Sequence, residues 1–232
     1  MNLIITMAGK YSRFKNEGYR LPKYLLPWGN RSILSEILLT MHKHFEDVYL
    51  IMNKNDNDYK VHIKNIMKEY NINLNNLILI EDTDSQSQSL LKGLELINNL
   101  KGPIVVHNVD TVLYNRDYVK IKNNLSISDG FIDIFESNNP AYSYVLLNKL
   151  KEVKEIAEKI LISNTASSGL YGFSSKEVFE KYYSNGYIST IYKNMIENNL
   201  TVTTGVKYDE TNTIVLGTPY EYMNLSKLIL RK

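Results

Sequence analysis

Close to the start of the chain runs Leu3-Ile4-Ile5-Thr6-Met7-Ala8-Gly9-Lys10-Tyr11-Ser12-Arg13-Phe14. Its first part is a short apolar run of the kind that forms a buried strand, and its second part is a loop of small and cationic residues. In an open α/β sheet the loop at the carboxyl end of a strand is where ligands bind. Gly9 lets the backbone approach a phosphate closely, Ser12 offers a hydroxyl, and Lys10 and Arg13 can neutralise anionic oxygens. The composition suits a triphosphate.

Further apolar runs follow at Val48 to Met52, Leu77 to Ile80 and Pro103 to His107. Between them Ser32 to His44, Asp56 to Tyr70 and Ser85 to Asn98 place apolar residues at the three- and four-residue spacing of amphipathic helices, as in Ile33, Ile37, Leu38 and Met41. Strands alternating with helices predict a parallel sheet wrapped by helices. After Asp110 the pattern loosens: Phe131 to Phe135 and Tyr142 to Leu147 alternate like antiparallel strands, and Lys149 to Lys159 is a charged run that reads as a solvated face. Leu170 to Phe173 has the look of a buried strand; helices are expected over Ser175 to Tyr183 and Ser189 to Asn198, strands near Thr201 to Val206 and Thr213 to Leu216, and a last helix from Pro219. The fold class expected is α/β: a Rossmann-like open, mixed and mainly parallel sheet flanked by helices, with a small subregion in the second half that completes the same sheet. With no repeat or linker, residues 1–232 read as one domain, with halves 1–110 and 111–232.

Composition removes several classes of function. Lys and Arg number 27 against 25 for Asp and Glu, a net charge of +2 that makes no field for nucleic acid or an anionic membrane. There is no cysteine, hence no disulfide, thiolate metal site or cysteine nucleophile. The start Met1-Asn2-Leu3-Ile4-Ile5-Thr6 lacks a basic region before an apolar one, and no window reaches the ~18 apolar residues of a membrane span. A cytoplasmic protein is expected. His42, His44, His62 and His107 form no triad-like arrangement, and the 18 tyrosines come without a basic patch for stacked bases.

Ala8-Gly9, Ser12-Arg13-Phe14, Gly18-Tyr19, Pro22-Lys23, Leu26, Gly29 and Ile33-Leu34, in that order, resemble the N-terminal signature of the nucleotidyltransferase superfamily, whose members make nucleotide sugars and cytidylylated alcohol phosphates. The resemblance implies that Ala8, Gly9, Lys10, Tyr11, Ser12 and Arg13 wrap the triphosphate, that Arg13 stabilises departing pyrophosphate, and that Lys23 steadies phosphate charge in the transition state. Thr83 to Leu91 sits where the family receives base and ribose, which implies roles for Ser85, Gln86 and Ser87, although a Ser- and Asp-rich run is also an ordinary helix cap. Val105-Val106-His107-Asn108-Val109-Asp110 looks like the family's fourth strand, with Asn108 on the nucleotide side and Asp110 the carboxylate for Mg²⁺. The stretches Asn139 to Val145 and Glu158 to Phe173 are similar to the acceptor side of a capsule-associated branch, and put Tyr144, Glu158 and Lys159 on the acceptor. Leu216-Gly217-Thr218-Pro219 resembles the turn that opens the family's last helix.

Two departures stand out. Tyr11 occupies a position that is commonly glycine, so its backbone must avoid positive φ or be strained. Val215 stands where many members place a second metal-binding aspartate, which leaves Asp209, Glu210 and Glu221 as candidates for a replacement. The expected chemistry is transfer of a nucleotidyl group from an NTP, CTP ahead of the others, to a small phosphorylated acceptor, either a sugar 1-phosphate or a phosphorylated alcohol or amino-acid-like compound. Mg²⁺ is the expected cofactor; nucleic acid and membrane are excluded as partners, and a second copy of the chain is left open. A glycosyltransferase would call for an Asp-x-Asp pair where Asn108-Val109-Asp110 has one carboxylate, and a non-catalytic nucleotide-binding protein would account for Tyr11 and Val215 together.

Overall fold

The computed structural model describes residues 1–229. In the first half β1 (Asn2–Met7) leads into the short helix α1 (Ser12–Asn16) and a small hairpin, β2 (Pro27–Trp28) and β3 (Arg31–Ser32). Next come α2 (Ile33–Met41), β4 (Val48–Asn53), α3 (Lys60–Glu69), β5 (Leu77–Ile80), α4 (Gln86–Glu95) and β6 (Ile104–Asn108). The second half holds β7 (Thr111–Leu113), α5 (Tyr118–Leu125), β8 (Gly130–Glu136), β9 (Ser143–Leu147), β10 (Val153–Glu158), β11 (Thr165–Phe173), α6 (Lys176–Lys181), α7 (Ile188–Glu197), β12 (Val202–Tyr208), β13 (Thr213–Val215) and α8 (Pro219–Ile229).

β1 lies between β4 and β6 and is parallel to both, with β5 parallel outside β4. β11 runs antiparallel beside β6, β8 antiparallel beside β11, and β12 parallel beyond β8. This is the expected mixed, mainly parallel sheet. Both faces are covered, because alternate residues of β1 enter different cores: Leu3, Ile5 and Met7 pack toward α2, α3 and α5, whereas Ile4 packs toward α4 and α7. Each helix turns its periodic apolar residues to its own side, Ile33, Ile37 and Met41 to the first core and Leu90 and Leu94 to the second.

The second half departs from the sequence reading in four places. β8, expected to alternate as an antiparallel strand, is antiparallel to β11 but parallel to β12, and Gly130–Phe135 is buried throughout because the cores under α5 and α7 cover its two faces. The charged run Lys149 to Lys159 contains β10, an outer strand against β9 whose Lys154 and Glu155 face solvent while Val153 and Ile156 are buried. β13 does not join the main sheet; it pairs with β7 in a separate ribbon, Val215 opposite Thr111. Finally, α5, capped by Asp117, was not expected at all. No helix among the described residues is long and apolar enough to cross a membrane.

One ion pair is fully enclosed. Arg116 Nη2 lies 2.9 Å from Asp133 Oδ2, with side-chain exposures of 0% and 2%. Burial raises the Asp133 carboxyl, and Arg116 with the Ser168 hydroxyl at 2.7 Å opposes that shift. The guanidinium also donates to the carbonyls of Tyr114 and Asn212 and to Thr213 Oγ1, and rests 3.9 Å from the Tyr208 ring centroid. Removing one member of such a pair costs about 3–5 kcal/mol, because the other is left charged and dry. The pair ties the ribbon of β7 and β13 to the back of the sheet.

Candidate functional site

The parallel pairing of β1 with β6 sets Thr6 opposite Asn108, so the loops after both strands open at the same end of the sheet. The strand order turns in opposite directions from β1, toward β4 on one side and β6 on the other, and this is where open α/β sheets bind ligands. A cleft of about 710 Å³ lies there. Of the residues expected from sequence, Ala8, Gly9, Lys10, Tyr11, Arg13, Lys23, Ser85, Gln86, Asn108, Asp110, Glu158 and Lys159 line it.

At one end the loop of residues 8–11 leaves β1. The carbonyl of Ala8 accepts from Asn53 Nδ2 at 3.2 Å, and a Cβ placed on Gly9 would meet nothing within 4 Å, so the space above its backbone is open to a ligand. Tyr11 does adopt the left-handed conformation, φ 37° and ψ 41°, as the residue preceding α1. For a residue with a side chain this costs about 1–2 kcal/mol. Lys10 stands at the rim, 3.7 Å from Asp82, in an exposed pair of little energetic weight. Arg13 has no carboxylate partner among the described residues.

At the centre Lys23 Nζ donates to Asp110 Oδ2 at 2.9 Å. Burial alone would lift the Asp110 carboxyl, but the charge and hydrogen bond of Lys23 outweigh it and hold the group below the usual carboxylate range. The turn that carries Asp110 is braced twice. His107, fully buried, donates from Nε2 to the carbonyl of Thr111 at 2.8 Å, and Leu216 N donates to the carbonyl of Asp110 at 2.7 Å. Burial pushes the His107 imidazole down to about 4, so it is neutral and structural. Beneath the turn Gly169, at φ 86°, sits where a Cβ would come within 2.9 Å of Asn108 Nδ2; only glycine fits there. Gln86 reaches across to donate to Asn108 Oδ1.

Asp110 and Glu221 look at one spot. A Cβ added to Gly217 would lie 3.5 Å from Glu221 Oε2 and 3.7 Å from Asp110 Oδ2, so glycine leaves a small cradle between the two carboxylates. Glu221 is aimed there by Thr218 Oγ1 at 2.9 Å and Tyr142 OH at 3.3 Å. Asp209 and Glu210 are elsewhere: Asp209 closes its own turn through Thr211 and Asn212, and Glu210 accepts from Ser137.

At the far end Glu158 Oε2 accepts from Ser189 Oγ at 2.7 Å and from Ser143 Oγ. Lys159 is exposed and folded onto Tyr187, its ammonium 4.5 Å from the ring centroid.

Three residues expected in the site are not in the cleft. Ser12 is the first residue of α1 and points to solvent. Ser87 is fully buried, donates to the carbonyl of Ser184 at 2.8 Å and accepts from Gly186 N at 2.9 Å, so it fastens α4 to the loop before α7. Tyr144 is fully buried in a small core with Phe135 and Ala166, and its hydroxyl donates to the carbonyl of Asn139 at 2.7 Å. Strand alternation is the cause: Ser143, one residue earlier on β9, faces the cleft together with Tyr142. Tyr187 and the Ser167 to Gly169 bulge of β11 also line the cleft, and no local pattern singled out their roles.

No family model matches the chain. The bifunctional protein GlmU of Methanococcus aeolicus is 27% identical over 179 residues, 76% of this chain and 41% of that protein, so the chain spans less than half of this curated relative. Among solved structures, a nucleoside-diphosphate-sugar pyrophosphorylase from Vibrio cholerae RC9 superposes with a TM-score of 0.82 at 24% identity over 100% of both chains. The inositol-1-phosphate CTP transferase from T. maritima follows at 0.73 and 12% identity, over 99% of this chain and 95% of that one. The chain shares the fold of these two enzymes over its whole described length.

Proposed function

We propose that this chain transfers a nucleotidyl group from a nucleoside triphosphate to a small phosphorylated acceptor. The observation that carries this reading is the distribution of cations along one cleft: Lys10, Arg13 and Lys23 around an open glycine backbone at one end, and Lys159 at the other. An oxygen of the acceptor phosphate attacks the α-phosphorus; the bond from that phosphorus to the α–β bridging oxygen breaks, and pyrophosphate leaves with the electron pair. No protein nucleophile is needed. The barrier is repulsion between anions, so the protein's contribution is positioning and charge neutralisation. Lys23 and Arg13 act on the triphosphate, Lys159 on the acceptor phosphate, and Ser85, Gln86 and Asn108 on the nucleoside.

The donor set suits Mg²⁺. Asp110 and Glu221 flank the Gly217 cradle, hard oxygen donors for a cation that keeps its remaining positions for phosphate oxygens and water. Among the described residues no group of three or more His, Cys, Asp or Glu side chains converges on one point. Bound there, Mg²⁺ would supply charge neutralisation on the triphosphate. We place the protein in the cytoplasm, with CTP the preferred donor and a sugar 1-phosphate or phosphorylated alcohol as acceptor for surface-glycan or capsule precursors.

The test is a matrix of five NTPs against phosphorylated acceptors, read by pyrophosphate release with and without Mg²⁺. Release that needs both substrates and the metal supports the reading; tight NTP binding with no release across the panel overturns it. Within that assay Lys159→Ala is expected to raise the acceptor KM by about tenfold and leave the NTP KM unchanged, since one charge-assisted contact is lost. A change confined to the NTP would put Lys159 on the wrong substrate.

A further inference from the structure

Asp56 belongs to neither end of the cleft, yet it touches both segments that carry the triphosphate cations. It lies in the 3₁₀ turn Lys54–Tyr59 that follows β4, and it is 5% exposed. Its Oδ1 accepts from the Tyr11 hydroxyl and its Oδ2 from the Tyr24 hydroxyl at 2.9 Å. Tyr11 stands between Lys10 and Arg13 in the loop after β1, and Tyr24 directly follows Lys23. We infer that Asp56 is a positioning residue: through Tyr11 and Tyr24 it clamps the phosphate loop and the Lys23 segment in one fixed arrangement before nucleotide binds. The inference rests on the nucleotidyl-transfer reading of this cleft.

Three physical points support it. Tyr11 is held in a left-handed conformation that its side chain disfavours, and no side-chain cap bonds the start of α1, so the loop needs an anchor from outside itself. A carboxylate accepting from two hydroxyls supplies charge-assisted bonds, roughly twice as strong as neutral ones. Burial and the Asp56 charge both raise the two phenols, which therefore stay protonated donors throughout the working pH range. A loop ordered in advance binds its ligand more tightly because less ordering entropy is lost on binding.

The test uses Tyr11→Phe, Tyr24→Phe and Asp56→Asn in the full chain, with three readouts: amide hydrogen exchange over residues 8–15, affinity for an NTP analogue carrying a methylene between the α and β phosphates, and KM with kcat. Tyr11→Phe removes a single oxygen and is expected to speed exchange in the loop and weaken the analogue by about tenfold each, to raise the NTP KM to match, and to leave the acceptor KM alone. Asp56→Asn keeps one acceptor oxygen of two, so it should fall between wild type and the Tyr11→Phe/Tyr24→Phe double variant. A drop in melting temperature with loop exchange and analogue affinity unmoved would overturn the clamp. Should Asp56→Asn fail to fold, Tyr11→Phe decides alone. If the wild type turns over no NTP, the transferase reading falls, and hydrogen exchange still shows whether the clamp exists.

Discussion

Asp110→Asn is expected to reduce turnover by about 10³-fold or more while the protein keeps its fold. The amide has the shape of the carboxylate and can still touch Thr111, but it loses the charge that fixes Lys23 at 2.9 Å and that faces the Gly217 cradle. Both losses fall on the same point of the reaction, where negative charge on the triphosphate is greatest. Glu221→Gln is expected to follow it with a smaller loss, because Glu221 shares the cradle and is held by Thr218 and Tyr142. Asp209→Asn and Glu210→Gln should behave as wild type: their partners are Thr211, Asn212 and Ser137, outside the cleft. The measurement is kcat of the four variants at saturating Mg²⁺. Full activity in Asp110→Asn would remove the argument that the turn after β6 faces the reaction.

Lys23→Ala should cost about 10²-fold or more in kcat/KM, since it removes charge stabilisation that grows as pyrophosphate departs, and Arg13→Ala about as much. The two differ in a second respect. Lys23 is paired directly with Asp110, whereas Arg13 has no carboxylate partner among the described residues. Taking Lys23 away leaves Asp110 an uncompensated carboxylate beside Glu221, so Lys23→Ala is expected to tighten Mg²⁺ binding by the nucleotide-free protein while it slows the reaction. Calorimetric titration with Mg²⁺ and steady-state kinetics on the same samples check both halves. Unchanged kinetics in Lys23→Ala would sink the assignment of Lys23 to the triphosphate; slowed kinetics with no gain in metal binding would show that Lys23 does not compete for Asp110.

The alternation of apolar runs and helical periods by itself determined the first half of the fold. Strands buried on both faces are continuously apolar, and amphipathic helices repeat every three to four residues, so each announces itself locally. The glycine and cations of the loop after β1 pointed to a phosphate site by composition, because ligands bind beyond the carboxyl ends of strands in such sheets, whereas Lys23 and Asp110 stood out only through the family resemblance of their segments. What needed the tertiary structure were the features set by distant partners. Which face of β9 meets the cleft depends on its pairing with β10 and β11, and a one-residue change of phase exchanges Ser143 for Tyr144. The run at Lys149 to Lys159 becomes a strand because β9 offers it an edge, although its charges argue for a solvated face. The nearness of Glu221 to Asp110 arises where β13 returns to pair with β7, across about a hundred residues of chain. Asp56 meets Tyr11 and Tyr24 at sequence separations of 45 and 32, so no window of sequence contains the clamp. Local pattern reports the free energy of burying a face, and it carries no information about which other segment will cover that face; only the closed chain settles that.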